Sequence, residues 1–475
     1  MAQFMLMAVS IVSGMVFSRT LSVADYGTYL QTFLAYDFAV PILTLGLPSA
    51  MYYFLPGAKF RQKGLVLDNI AMLFVSAILF SFFLAFGGIE LLAKRFNNPD
   101  LLRTLKWMIF YPIYTFPVLI ESAVWIVKDK VKLNAIYNVF TGLFLTILLI
   151  LTAFSTKSFD APILIRVFIP LLFFPLTIYL IFKHVPGDWD IPRISSMWSI
   201  AKFSIPLGLS SVIGTITIQL SSMIVAFMTS PSDFAIYANG AKEVPLIGIV
   251  TGSISIVIMA EMAHKIKEGD LNAALQLFKK AAAISASILL PTMVYLMIFA
   301  ESFINVIYSS KYVESVLPFR IYLLMLPVRI VYYGSALIAL GKTKAILFRS
   351  VVELLITAVF AYFLTNSIGY IGAAIATVAM YYVWAIPYNL IFLGKQFNCK
   401  STFIIPFKRV GVILIVAIIT GLFTSLILLI EMNSLLTLFI GAPIFGSIYF
   451  CISYKFIPEF KELIISYKSK LPWVY

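Results

Sequence analysis

The sequence has 475 residues, of which 61% are hydrophobic and only 12% charged, and its mean hydropathy is +0.99. A soluble domain carries about a quarter of charged residues, so the composition excludes a soluble globular protein and indicates a lipid environment. The formal net charge of +14 fits cationic loops that face an anionic leaflet, and we predict no nucleic-acid partner.

Apolar stretches follow one another along the whole chain, and each is long enough to cross a bilayer as a helix of about 20 residues. They lack the alternation of barrel strands and therefore predict an all-α integral membrane protein. The spans on either side of residues 343 and 367 are separated by very short turns, so the number of spans is thirteen or fourteen. We predict about fourteen, at 2–18, 30–55, 65–88, 105–127, 133–154, 161–182, 200–228, 234–260, 278–300, 316–340, 345–365, 368–393, 404–430 and 434–456.

The connections between spans predict the orientation. Lysine and arginine number roughly 23 on one side of the membrane against roughly 7 on the other, which puts both termini in the cytoplasm. We interpret the first span as a retained helix and not as a signal peptide. No connection exceeds about twenty residues. A soluble catalytic domain has no room, so we predict that the protein is not an enzyme.

Two halves of the chain resemble each other. The segment 25–29 (DYGTY) follows the first span and 233–237 (DFAIY) follows the seventh; each opens a helix that carries a proline farther on, Pro41 and Pro245. Both prolines should kink their helices. The order of these echoes favours two pseudo-symmetric six-helix lobes related by an axis along the membrane normal.

The repeat divides the chain into three parts. Residues 1–190 form the predicted N-terminal lobe and 191–397 the C-terminal lobe. Residues 398–475 stand outside the duplication and hold two additional transmembrane helices and a cytoplasmic tail.

Ionisable side chains within the spans are the best indication of a functional site, because each costs about 2.5–3.5 kcal/mol to insert. Five of them are basic and predict a cationic, substrate-binding cavity: Arg329, Arg166, Arg19, Lys242 and Arg349. Four are acidic and are candidates for ion coupling: Asp37, Glu121, Glu243 and Glu353.

Six of these nine residues have a structural alternative. Arg329 follows a proline deep in its span, where a guanidinium needs water, an anionic ligand or a carboxylate in the bundle. Arg166 lies near the end of its span and is able to extend to the headgroups. Arg349 and Glu353 are spaced i, i+4 and are able to neutralise each other. Asp37, like Glu121, either couples an ion or pairs with a nearby base.

Other motifs fail on their spacing. The run 341–343 (GKT) resembles the end of a P-loop, but the required glycine position is Ala336. The two histidines and two cysteines of the chain are too dispersed for a metal site, and we predict neither metal nor cofactor.

Several segments carry a resemblance to a known family. The segment 17–29 (FSRTLSVADYGTY) is similar to the turn near the start of the Wzx-like polysaccharide repeat-unit flippases. The segments 308–312 (YSSKY), 339–342 (ALGK) and 369–377 (GYIGAAIAT) resemble the second-lobe pattern of the same group. Together with the two lobes, they make the chain similar to the MATE-like (MOP) exporter superfamily. Of the basic candidates, only Arg19 lies in a matched pattern.

The resemblance implies a transporter that flips an undecaprenyl-diphosphate-linked oligosaccharide from the inner to the outer leaflet of the bacterial cytoplasmic membrane. It implies membrane lipids, a polysaccharide polymerase and a chain-length regulator as partners. Two alternatives share the fold: a multidrug or small-molecule cation antiporter, and a flippase for the peptidoglycan precursor lipid II. A membrane-embedded glycan polymerase or transferase is a further alternative.

Overall fold

The computed structural model describes residues 2–58, 61–244 and 247–456, and this part of the chain is helical without strands. Each of the fourteen predicted spans contains helix among the described residues. Among the described residues, ten helices are long and apolar enough to cross a membrane, and an eleventh candidate is a bent pair. The described apolar parts of the first and seventh spans are shorter, at Met7–Thr20 and Val212–Met228. The predicted all-α membrane fold is confirmed.

The chain divides into two compact units, Met1–Ile236 and Tyr237–Tyr475. The helices of the first unit are α1 (Ala2–Thr20), α2 (Val23–Thr44), α3 (Leu47–Gly57), α4 (Gln62–Phe83), α5 (Ile89–Arg95), α6 (Leu101–Trp107), α7 (Tyr111–Thr115), α8 (Glu121–Val127), α9 (Val131–Thr156), α10 (Asp160–Lys183) and α11 (Ile194–Met228). Helix α12 (Pro231–Gly240) contains the division between the units.

The second unit continues with α13 (Ile247–Lys267), α14 (Leu271–Ile298), α15 (Ala300–Tyr308), α16 (Val316–Leu323), α17 (Tyr333–Ala339), α18 (Thr343–Ile368), α19 (Tyr370–Met380), α20 (Ile386–Gln396), α21 (Phe407–Ser425) and α22 (Ser434–Phe456). The last two are the additional helices predicted after the repeat, and α21 packs against α14. The predicted tail beyond Phe456 lies outside the described residues.

The predicted second span is broken. Helix α2 ends at Thr44, and the next two residues have left-handed backbone angles, with φ of 42° at Leu45 and 74° at Gly46. Pro41 lies inside the last turn of α2, shortly before the helix ends, and the kink predicted at this residue stays a prediction. Pro245 lies outside the described residues, and its kink stays a prediction.

Helix α11 packs against this break. The backbones of Gly46 and Gly208 approach so closely that a side chain on either residue would collide with the other segment. By its contacts, helix α11 belongs to the first compact unit, which ends at Ile236. The boundary at 190 was drawn from the sequence repeat, which these contacts do not test, so it stays a prediction.

We expect Gly208→Ala to lower the yield of folded protein severely. The added Cβ would lie 2.1 Å from the carbonyl carbon of Leu45, a backbone atom that has no room to move. The measurement is the monodisperse peak of a fluorescent fusion in size-exclusion chromatography. Gly214→Ala is the matched control, because a Cβ at this position of the same helix meets nothing within 4 Å. An equal yield for the two variants would contradict the close approach.

A second fixed point of the first unit is the Arg61 cluster, which consists of Arg61, Asp68, Asp190 and Arg193. Arg61 donates to Asp68 at 2.5 Å and also to Asp190, while the backbone N–H of Arg193 donates to Asp68 at 2.8 Å. The hydrogen bond from Arg61 holds the pKa of Asp190 below its usual value. The cluster fixes the connection between α10 and α11 onto α4.

Candidate functional site

Two of the predicted spans, the eighth and the tenth, are interrupted. Helix α12 ends at Gly240, residues 241–244 are not helical, and α13 begins at Ile247. The predicted tenth span is bent by 50° between Ser310–Leu323 and Val328–Ala339. Interrupted helices at membrane depth are tolerated where the backbone lines a cavity, and they are common at transporter binding sites.

The two interruptions meet at an ion pair. Arg329 lies in a short 3-10 turn, Val328–Ile330, after which Val331 is extended. Its guanidinium donates to the carboxylate of Glu243, which lies in the interruption after α12. From the sequence, Arg329 is predicted to bind substrate and Glu243 to be a separate ion-coupling residue. In the structure the two side chains form an ion pair.

The guanidinium of Arg329 has further contacts. Its carbon atom lies 5.7 Å from the centre of the Tyr381 ring, within the range of a cation–π interaction. Tyr381 opens a π-helical turn, Tyr381–Ala385, between α19 and α20. Such turns frequently accompany functional sites. The Nε atom of Arg329 is buried and has no hydrogen-bond partner among the described residues, so the guanidinium keeps an unused donor.

A cavity of about 350 Å³ adjoins the ion pair. At about 30 Å³ for each water molecule in the liquid, this space corresponds to roughly ten waters. Its wall consists of Glu243, Ile247, Gly248, Thr251, Gly252, Arg329, Val331 and Tyr332. Among the described residues, the lining therefore includes one positive and one negative side chain, the hydroxyl groups of Thr251 and Tyr332, and otherwise apolar groups.

The first unit holds a second arginine site. The guanidinium of Arg166, on α10, lies 3.7 Å from the centre of the Phe33 ring and donates to the Tyr29 hydroxyl at 3.2 Å. Both aromatic residues belong to α2, so Arg166 packs against protein. Asp37, one turn beyond Phe33, is exposed and lies within electrostatic range of Arg166. Among the described residues, no carboxylate forms an ion pair with Arg166.

The other candidates lie elsewhere. Arg349 and Glu353 form an i, i+4 ion pair, with 2.8 Å between Nε and Oε1. This pair is the structural alternative predicted from their spacing. Arg19 is exposed and donates to the Met15 carbonyl of its own helix at 2.8 Å. The ammonium of Lys242, adjacent to Glu243, lies 6.0 Å from the Tyr308 ring. Glu121 is half-buried at the start of α8, with no ion pair described for it.

Sequence reasoning missed the aromatic partners of both arginines and the small residues of the cavity. Tyr29 and Tyr381 contact a guanidinium, and Gly248 and Gly252 line the cavity. The glycines are spaced i, i+4 in an otherwise apolar span, which was a usable signal. No feature of the sequence distinguished these two tyrosines, because the chain has 25 tyrosines.

The model of a family described as "Polysaccharide biosynthesis protein" matches residues 16–317. No curated relative matches the sequence.

Solved structures of transporters have a similar fold. Lipid II flippase MurJ in an inward closed conformation aligns with a TM-score of 0.77 and 17% identity over 98% of both chains. An inward-facing multidrug resistance MATE family transporter of the MOP superfamily aligns with a TM-score of 0.66 and 12% identity over 83% of this chain and 94% of that one. A MOP superfamily transporter from Pyrococcus furiosus aligns with a TM-score of 0.52 and 11% identity over 83% and 94%. At these identities the likeness is one of fold, and it confirms the predicted MATE-like architecture.

Proposed function

Because the chain belongs to the family of polysaccharide biosynthesis proteins, we propose that it flips an undecaprenyl-diphosphate-linked oligosaccharide across the bacterial cytoplasmic membrane. The lipid-linked repeat unit enters from the inner leaflet and leaves into the outer leaflet by alternating access. Both chain termini lie in the cytoplasm. A polysaccharide polymerase and a chain-length regulator act on the product.

The observation that carries this proposal is Arg329 in the wall of a cavity. A guanidinium has five donors in a planar fork that matches phosphate oxygens. The cavity of about 350 Å³ gives a phosphate group space next to this residue. We propose that Arg329 binds the diphosphate of the substrate, with the hydroxyl group of Tyr332 as an additional contact.

Such a transporter lowers a solvation barrier and needs no covalent step. Each polar group that enters hydrocarbon without a hydrogen-bond partner costs several kcal/mol, so an oligosaccharide diphosphate faces a barrier of tens of kcal/mol. Polar groups in the cavity wall replace part of the lost hydration while the prenyl chain stays in lipid. This role requires no catalytic side chain, in keeping with a protein that is not an enzyme.

Two alternative cargoes share the fold. A cation antiporter needs an acidic, aromatic site. Arg166 has aromatic neighbours, but among the described residues no carboxylate is in ion-pair contact with its guanidinium. The positive charge at this place is unsuited to hold a cation. A lipid II flippase needs the same diphosphate site as our proposal. The match to the polysaccharide biosynthesis family favours the repeat unit over lipid II.

Reconstitution of the purified protein separates these functions. Proteoliposomes are loaded with fluorescent undecaprenyl-diphosphate oligosaccharide, with lipid II, or with a cationic dye, and outward movement is followed by quenching of the exposed label. We expect the oligosaccharide lipid to move fastest. Faster movement of lipid II would favour the peptidoglycan alternative, and dye transport alone would favour the antiporter. In cells, depletion of the protein should trap lipid-linked repeat units on the cytoplasmic face.

A further inference from the structure

The guanidinium of Arg329, to which we assign the phosphate, already donates to the carboxylate of Glu243. The two side chains are 31% and 43% exposed. Partly exposed ion pairs contribute little to stability, whereas fully buried pairs are costly to break. The pair can therefore open without disturbing the packing of the second unit.

The backbone on both sides of the pair also permits such a change. Glu243 lies in the non-helical residues 241–244, and Arg329 lies in the bent segment between α16 and α17. Neither side chain is fixed on a continuous helix, in contrast to Arg349 and Glu353. Those two occupy one continuous helix, α18, where the Glu353 side chain is only 9% exposed.

Glu243 itself lines the cavity into which a phosphate would enter. Glu243 and Arg329 line the same cavity, so an anion that enters it and binds the guanidinium meets the carboxylate of Glu243 and competes with it. A diphosphate carries more charge than a carboxylate, which favours the diphosphate in this competition.

We propose that Glu243 is an internal counter-ion of Arg329, which the diphosphate of the substrate displaces on binding and which drives release when it returns. This inference rests on the proposed function. It assigns Glu243 a role in setting the affinity for the anion, distinct from a role in binding the sugar or the prenyl chain.

The test compares the full-length protein and its Glu243→Gln variant in lipid nanodiscs, with undecaprenyl diphosphate as the probe. Removing the competing charge should tighten binding about fivefold, which corresponds to about 1 kcal/mol. The flipping rate in proteoliposomes should fall, because release slows. Glu314→Gln is the matched control, since Glu314 is exposed and does not line the cavity.

Two further measurements separate electrostatic competition from a structural role. Binding of uncharged undecaprenol should be the same in Glu243→Gln and wild type, because no anion competes. In an Arg329→Ala background, Glu243→Gln should no longer tighten binding of undecaprenyl diphosphate.

The outcomes are distinguishable. Unchanged or weaker binding of undecaprenyl diphosphate by Glu243→Gln, with wild-type binding intact, would overturn the counter-ion exchange and leave the proposed function standing. If wild-type protein bound undecaprenyl diphosphate no better than undecaprenol, both proposals would be overturned.

Discussion

Replacing Arg329 with alanine is expected to slow translocation of the lipid-linked oligosaccharide by roughly 10- to 150-fold. This range corresponds to the loss of about 1.5–3 kcal/mol for a hydrogen bond to a charged group, at about 1.4 kcal/mol for each factor of ten. The measurement is the initial rate in the proteoliposome assay. The effect should be large because Arg329 is the one basic residue among those that line the described cavity.

Arg329→Lys should retain part of the rate. Lysine keeps the positive charge but loses the planar fork that matches two phosphate oxygens. The control is Arg320→Ala, because Arg320 is exposed, donates to the Met297 carbonyl at 3.2 Å and does not line the cavity. If Arg329→Ala flipped the substrate at the wild-type rate, the ion pair with Glu243 would be a purely structural contact.

Replacing Asp68 with alanine is expected to lower the free energy of unfolding by about 3 kcal/mol, near the lower end of the range for removing one partner of a buried ion pair. The Asp68 side chain is fully buried and accepts hydrogen bonds from Arg61 and from the backbone of Arg193. The loss should not be greater, because Arg61 keeps its bonds to Asp190 and to the Ile191 carbonyl. Thermal unfolding in detergent is the measurement.

The matched control for Asp68→Ala is Arg193→Ala. The Arg193 side chain is 58% exposed, and only its backbone N–H reaches Asp68, which the substitution leaves in place. We expect its unfolding temperature to equal that of wild type within error. Similar decreases in unfolding temperature for both variants would contradict this expectation. They would show that exposed side chains contribute as much to the stability of the cluster as the buried Asp68.

The two arginine sites illustrate how far single residues can be interpreted from sequence. Arg329 and Arg166 were both recognised by their depth in apolar spans, and both make specific contacts within their units. Their partners were not recognised. Glu243 is 86 residues from Arg329, and Tyr29 is 137 residues from Arg166, so no local pattern connects them.

The sequence by itself determined the class of the protein and the order of its spans. A helix in hydrocarbon satisfies its own backbone hydrogen bonds, so a run of about 20 apolar residues is enough to define it, and no distant residue needs to be known. The tertiary structure alone decided that Arg329 faces Glu243, that Gly46 meets Gly208 and that Arg61 holds Asp68. These are contacts between segments far apart in the chain, where helix interruptions and packing set the geometry, and hydropathy carries no information about either.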